Sequence, residues 1–94
     1  MSRNELLETL ARFYRNQGEA YHIQRIGLFG SAARGQLTPE SDVDIVVELA
    51  EPDLLALVGI KQDLETLLNR SVYIVHIPAL AATLGKLQRG LDRQ

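Results

Sequence analysis

The run Asp42-Val43-Asp44-Ile45-Val46-Val47-Glu48-Leu49 constrains this chain more than any other stretch. Side chains alternate across a strand, so Val43, Ile45, Val47 and Leu49 fall on one face. Asp42, Asp44, Val46 and Glu48 fall on the other. A strand of this kind needs a core on its first side, and it presents three carboxylates on its second, two of them close together. That already excludes an all-helical bundle.

The rest of the chain supplies the partners. Ser2 and Glu5 have the spacing of a capping box, which predicts a helix start. Leu6, Leu7, Leu10, Ala11, Phe13 and Tyr14 follow at helical spacing, and Gly18 reads as the stop. Ile23, Ile26, Leu28 and Phe29 predict a strand over residues 22–29. A short helix through Ala32, Ala33 and Arg34 follows the Gly30-Ser31 turn, and residues 36–41 form a loop around Thr38-Pro39-Glu40. Pro52 and Asp53 open a helix to residue 68, with Leu54, Leu57, Val58, Leu64, Leu67 and Leu68 as its apolar stripe. Residues 72–77 are rich in β-branched side chains and predict a third strand. Pro78 suits the start of a last helix, whose Leu80, Leu84, Leu87 and Leu91 are read as facing the core. Lys86, Arg89 and Arg93 fall late in it, where positive charge suits the helix dipole. The expected fold is α/β, a small mixed sheet of about three strands flanked by helices. The link from Phe29 to Asp42 allows either a crossover or an antiparallel return.

With 94 residues, the chain is expected to form one domain over positions 1–94. It has no cysteine, which excludes disulfides and thiolate metal sites and suits a reducing, cytoplasmic setting. No signal peptide and no run of about 20 apolar residues is present, so no membrane association is expected. The net charge is -2, without a basic tract or a series of aromatic residues. Non-specific nucleic-acid binding is therefore not expected. The oligomeric state is left open.

The chemistry concentrates in Gly27-Leu28-Phe29-Gly30-Ser31-Ala32-Ala33-Arg34-Gly35 and Ser41-Asp42-Val43-Asp44. A glycine after a strand lets backbone approach a ligand closely. The Ser31 hydroxyl and the N–H groups that begin the following helix suit terminal phosphates. Arg34 adds a forked donor for a phosphate oxygen. Asp42 and Asp44, two apart on a strand, project together and can hold one Mg²⁺ bridging to substrate phosphates. Each part alone is common: most Gly-Ser pairs are turns, and most Asp-x-Asp pairs lie on solvated strand edges. Together, one closing an apolar strand and the other opening the next, they point to a bound nucleoside triphosphate.

The pattern Gly30-Ser31-x10-Asp42-x-Asp44, with Ala33-Arg34-Gly35 and Ser41, resembles the minimal nucleotidyltransferases of the DNA polymerase β superfamily, over nearly the whole chain. The resemblance implies a polymerase β-like fold. It assigns Gly30, Ser31 and Arg34 to nucleotide binding, and Asp42 and Asp44 to catalysis and to Mg²⁺. It also implies ATP or another nucleoside triphosphate as substrate and a HEPN-domain toxin as partner. The protein would be the antitoxin that transfers AMP to a toxin hydroxyl. The chain departs from the family at one place. The third carboxylate belongs in a segment like Val-Asp-Leu-Val, where this chain reads Val72-Tyr73-Ile74-Val75. A neutral phenol there should harm transfer more than binding. The second reading is thus a nucleotide-binding module that neutralises its partner by complex formation.

No other residue replaces the missing acid. Glu48 shares the Asp face but lies about 13 Å beyond Asp44 along an extended strand. His76 should point away from Tyr73, Asp63 and Glu65 read as helix-surface charges, and His22 has no recognisable partner. Tyr73 itself is read as a packing residue or as a platform for a base.

Overall fold

The computed structural model describes residues 2–51 and 53–78. Helix α1 spans Arg3–Gln17. Its capping box is formed: Glu5 N–H donates to Ser2 Oγ and Ser2 N–H to Glu5 Oε1, both at 3.1 Å. The Ser2 backbone N–H, and then its hydroxyl, hold the Glu5 carboxyl below its usual range. Gly18 follows the helix but stays right-handed, at φ -58°. The left-handed residue of this turn is His22, at φ 57°. The chain therefore reverses four residues later than a glycine stop would suggest.

Strands β1 (Ile23–Leu28) and β2 (Val43–Leu49) pair antiparallel, and β3 (Val72–Pro78) lies parallel to β2. The order β1-β2-β3 makes a mixed sheet, as expected. Of the two routes open to the chain after Phe29, it takes the antiparallel return. A short helix α2 (Gly30–Ala33) sits in that return. The parallel step from β2 to β3 needs a crossover, supplied by α3 (Leu54–Leu68). Asp53 caps α3, accepting from Leu55 N–H at 3.0 Å and Ala56 N–H at 3.2 Å.

Val43, Ile45, Val47 and Leu49 are buried on one sheet face, as the alternation predicts. They pack with Leu6, Leu10 and Phe13 of α1 and with Ile60, Leu64 and Leu68 of α3. The α3 stripe is rotated from the expected one. Ala56, Ile60, Leu64 and Leu68 are buried, whereas Leu54 is 76% and Leu67 56% exposed. Leu64, Leu68 and, in part, Leu57 of the expected stripe meet the core, while Leu54, Val58 and Leu67 do not, and Ala56 and Ile60 take their place.

Asp63 and Glu65 are also not mere surface charges. Tyr21 Oη donates to Asp63 at 2.6 Å, and Val72 N–H donates to Glu65 Oε2 at 3.0 Å. The first bond ties the turn before β1 to α3; the second ties β3 to α3. Tyr21→Phe removes the first and should lower stability by about 1–2 kcal/mol in chemical denaturation. The bond to Asp63, then burial and the Asp63 charge, raise the Tyr21 phenol above its ordinary value. The unfolded chain releases that proton first. The stability it contributes is thus intact below about pH 10 and falls as pH rises through the folded value. Tyr21→Phe should flatten the alkaline fall in stability, and an unchanged slope would contradict this account.

The helix expected from Pro78 onward lies outside the described residues. Among the described residues, no helix is long and apolar enough to cross a membrane.

Candidate functional site

The site is built where β1 ends and β2 begins. Phe29 N–H donates to the Asp44 carbonyl at 3.0 Å, which fastens the turn to the second strand. The chain then enters α2 through Gly30 at φ +60°, a left-handed conformation that glycine adopts without penalty. A second reason for glycine is space. A Cβ on Gly30 would stand 2.6 Å from Asp44 Oδ2. The carboxylate occupies the volume that any other residue would fill.

The N–H groups of Gly30, Ser31 and Ala32 open α2 and, by position, have no acceptor within the helix. Ser31 is half-buried, and its carbonyl accepts from Gln36 N–H at 2.9 Å, which closes the far side of the turn. Arg34 is exposed and donates Nε to Gln36 Oε1 at 3.0 Å. Its two remaining nitrogens point to no acceptor among the described residues. Arg3 Nε donates to the Ala33 carbonyl at 2.8 Å and anchors the end of α2 to α1.

Asp42 lies just ahead of β2 and is exposed; Asp44 lies within it and is half-buried. Strand spacing separates their Cα atoms by roughly 7 Å, with both side chains on the face away from α1 and α3. The structure therefore brings Gly30 and Asp44 into contact, with Asp42 exposed one residue ahead of β2. Among the described residues, no group of three or more His, Cys, Asp or Glu side chains could hold a metal. Two carboxylates beside a glycine turn with free backbone N–H groups nevertheless suit a hard divalent cation such as Mg²⁺. That ion takes one or two protein carboxylates and completes its shell with water and substrate phosphates.

Tyr73 is the register partner of Asp44. It is 56% exposed, and its ring lies 6.5 Å from that of Phe29, inclined at 59°. It is not core packing. It stands on the next strand, on the Asp44 side, at the position where the family resemblance leads one to expect a third acid. His76 pairs with Val47 in register, on the opposite face, and its Nε2 is buried with no hydrogen-bond partner among the described residues. Glu48 is buried beside Arg25, with Nε 3.4 Å from Oε2. The His22 carbonyl accepts from Ala50 N–H at 3.0 Å, a backbone role alone.

One residue of the site's surroundings left no mark in the sequence reading. Arg70 donates to the carbonyls of Thr38 and Ser41, immediately before Asp42. Its targets are backbone atoms, so no pairing of residue types announces them.

Comparison with known proteins gives the family. Residues 4–92 match the family model described as a nucleotidyltransferase domain. A putative protein adenylyltransferase of Methanocaldococcus jannaschii is 37% identical over 73 residues, 77% of this chain and 85% of the relative. The protein adenylyltransferase MntA of Thermococcus cleftensis is 38% identical over 69 residues, 72% of this chain and 70% of the relative. A second putative protein adenylyltransferase of M. jannaschii is 34% identical over 73 residues, 77% of this chain and 74% of the relative. No solved structure matches the chain.

Proposed function

The chain belongs to the nucleotidyltransferase domain family, and from that premise we propose that it binds magnesium-complexed ATP through Gly30, Ser31, Arg34, Asp42 and Asp44. The observation that carries this reading is the contact between the turn and the strand. Asp44 Oδ2 fills the space beside Gly30, so the phosphate donors and the metal carboxylate share one wall. Nucleotidyltransferase domains typically use a divalent metal, and the chemistry such an ion supplies is neutralisation of phosphate and leaving-group charge. The chain's own residues do the rest. Backbone N–H groups at Gly30 and Ser31 and the Ser31 hydroxyl orient the terminal phosphates. Arg34 offers its forked donors to another phosphate oxygen.

The relatives' names as protein adenylyltransferases support a protein hydroxyl as acceptor. The resemblance to minimal nucleotidyltransferases supports a HEPN-domain toxin as the partner, and a cytoplasmic setting suits both. AMP would pass from ATP to that hydroxyl, with pyrophosphate leaving. Tyr73 favours a second reading, because it takes the strand position beside Asp44 without offering a base. In that reading, the protein neutralises its partner by complex formation, with nucleotide bound.

Calorimetric titration with Mg-ATP tests the site. Asp44→Asn should weaken binding by about 100-fold, since it removes one of the two charged ligands from a metal-bridged complex. Equal binding by the variant and the wild type would remove Asp44 from the site. Labelled ATP incubated with a HEPN partner then separates the two readings. Labelled partner supports transfer; an intact, unlabelled complex supports the binding module.

A further inference from the structure

Residues 36–41 contain neither helix nor strand, yet they lead directly into Asp42, two residues before the Asp44 that touches Gly30. Within this loop, Thr38 N–H donates to Ser41 Oγ at 3.1 Å, and the two hydroxyls lie 2.7 Å apart. Ser41 N–H donates back to the Thr38 carbonyl at 3.1 Å. These bonds shape the loop but do not fix it to the fold. Leu37 packs against the core, and a distant residue adds a polar hold next to Asp42. Helix α3 ends at the left-handed Asn69, and the next residue, Arg70, reaches across to the loop. Its Nη2 donates to the Thr38 carbonyl and, at 2.7 Å, to the Ser41 carbonyl. Ser71 completes the hold, its carbonyl accepting from Val43 N–H at 2.9 Å. Asp42 is thus held on both sides, by Arg70 through Ser41 and by Ser71 through Val43.

Arg70 forms no ion pair among the described residues. Its charge is directed to two backbone carbonyls on the approach to a carboxylate pair. A guanidinium suits this task, because its planar donors are pre-organised; a lysine would bring a flexible point charge. Groups that orient a metal's ligands, without touching the metal, commonly govern its affinity.

We infer that Arg70 is a positioning residue: by fixing Thr38 and Ser41 it sets the aim of Asp42, and with it the affinity of the Asp42–Asp44 pair for a divalent ion. The inference rests on the metal-nucleotide site proposed above.

The test uses the full chain and manganese(II) with ATP, read by electron paramagnetic resonance, beside amide hydrogen exchange. Arg70→Ala should raise the manganese dissociation constant about tenfold and speed exchange at Ser41 and Val43. Arg70→Lys should recover only part of the affinity. Tyr21→Phe, which loses a bond remote from the site, should leave the affinity unchanged well below its melting temperature. An unchanged dissociation constant in Arg70→Ala overturns the inference. So does an equal loss in Tyr21→Phe, which would make the effect one of general stability. If the wild-type chain binds no manganese in the presence of ATP, the proposed function itself fails, and the role of Arg70 with it.

Discussion

Tyr73→Asp is expected to raise the rate of AMP transfer by about 100-fold or more while leaving Mg-ATP affinity nearly unchanged. The size follows from the 10²–10⁴ that a positioned proton acceptor typically contributes. The geometry makes the substitution specific. Tyr73 faces Asp44 across adjacent strands, which lie about 4.8 Å apart, with both side chains on the same side. A carboxylate there would join the existing pair and could accept a proton from an attacking hydroxyl. Little is lost in exchange. Tyr73 is more than half exposed, and its contact with Phe29 is worth roughly 1 kcal/mol. The measurement is the initial rate of label transfer to the partner protein, alongside calorimetric binding. A folded variant that binds Mg-ATP as before, yet transfers no faster, would show that the position is not the limiting defect.

The second large effect concerns Gly30. Gly30→Ala should weaken Mg-ATP binding by about 10- to 100-fold and lower stability by about 1–2 kcal/mol. Two causes act together. The alanine must adopt φ +60°, and its Cβ would stand 2.6 Å from Asp44 Oδ2. The carboxylate is the movable partner, so the fold survives with Asp44 turned away from the metal position. Gly35→Ala separates the causes. Its backbone is as strained, at φ +70°, but its Cβ meets only Arg3 Cβ, at 3.9 Å. It should lose stability and keep affinity. If both variants bind normally, the close approach of Asp44 to the turn has no functional weight.

The parts of the molecule governed by local rules were legible in the sequence. Period-two alternation fixed the buried face of β2, and the Ser2–Glu5 box fixed the start of α1. The juxtaposition of the Gly30 turn with Asp44 came only with the antiparallel pairing of β1 and β2. What tertiary contacts decide was not legible. The link after Phe29 suited either strand direction, and only packing selected the return. The α3 stripe was misjudged because leucines outweighed Ala56 and Ile60, although the sheet demanded a narrow row. Asp63 and Glu65 looked solvated because their partners, Tyr21 and the Val72 N–H, lie far away in sequence. The place of Tyr73 beside Asp44 could be expected from the family resemblance; the strand register then supplied it independently.

The antiparallel return between β1 and β2 has a consequence for assembly. Gly30, Ser31, Asp42 and Asp44 all belong to one hairpin-like unit, closed by the Phe29–Asp44 backbone bond. Loop-closure entropy grows with the length of chain enclosed, so pairs this near in sequence can meet early. Tyr73 reaches its neighbour only after the whole of α3 has crossed over. The Gly30 turn with its aspartates and the Tyr73 position thus sit on separate folding segments, so a substitution at Tyr73 should leave the earlier segment structurally whole.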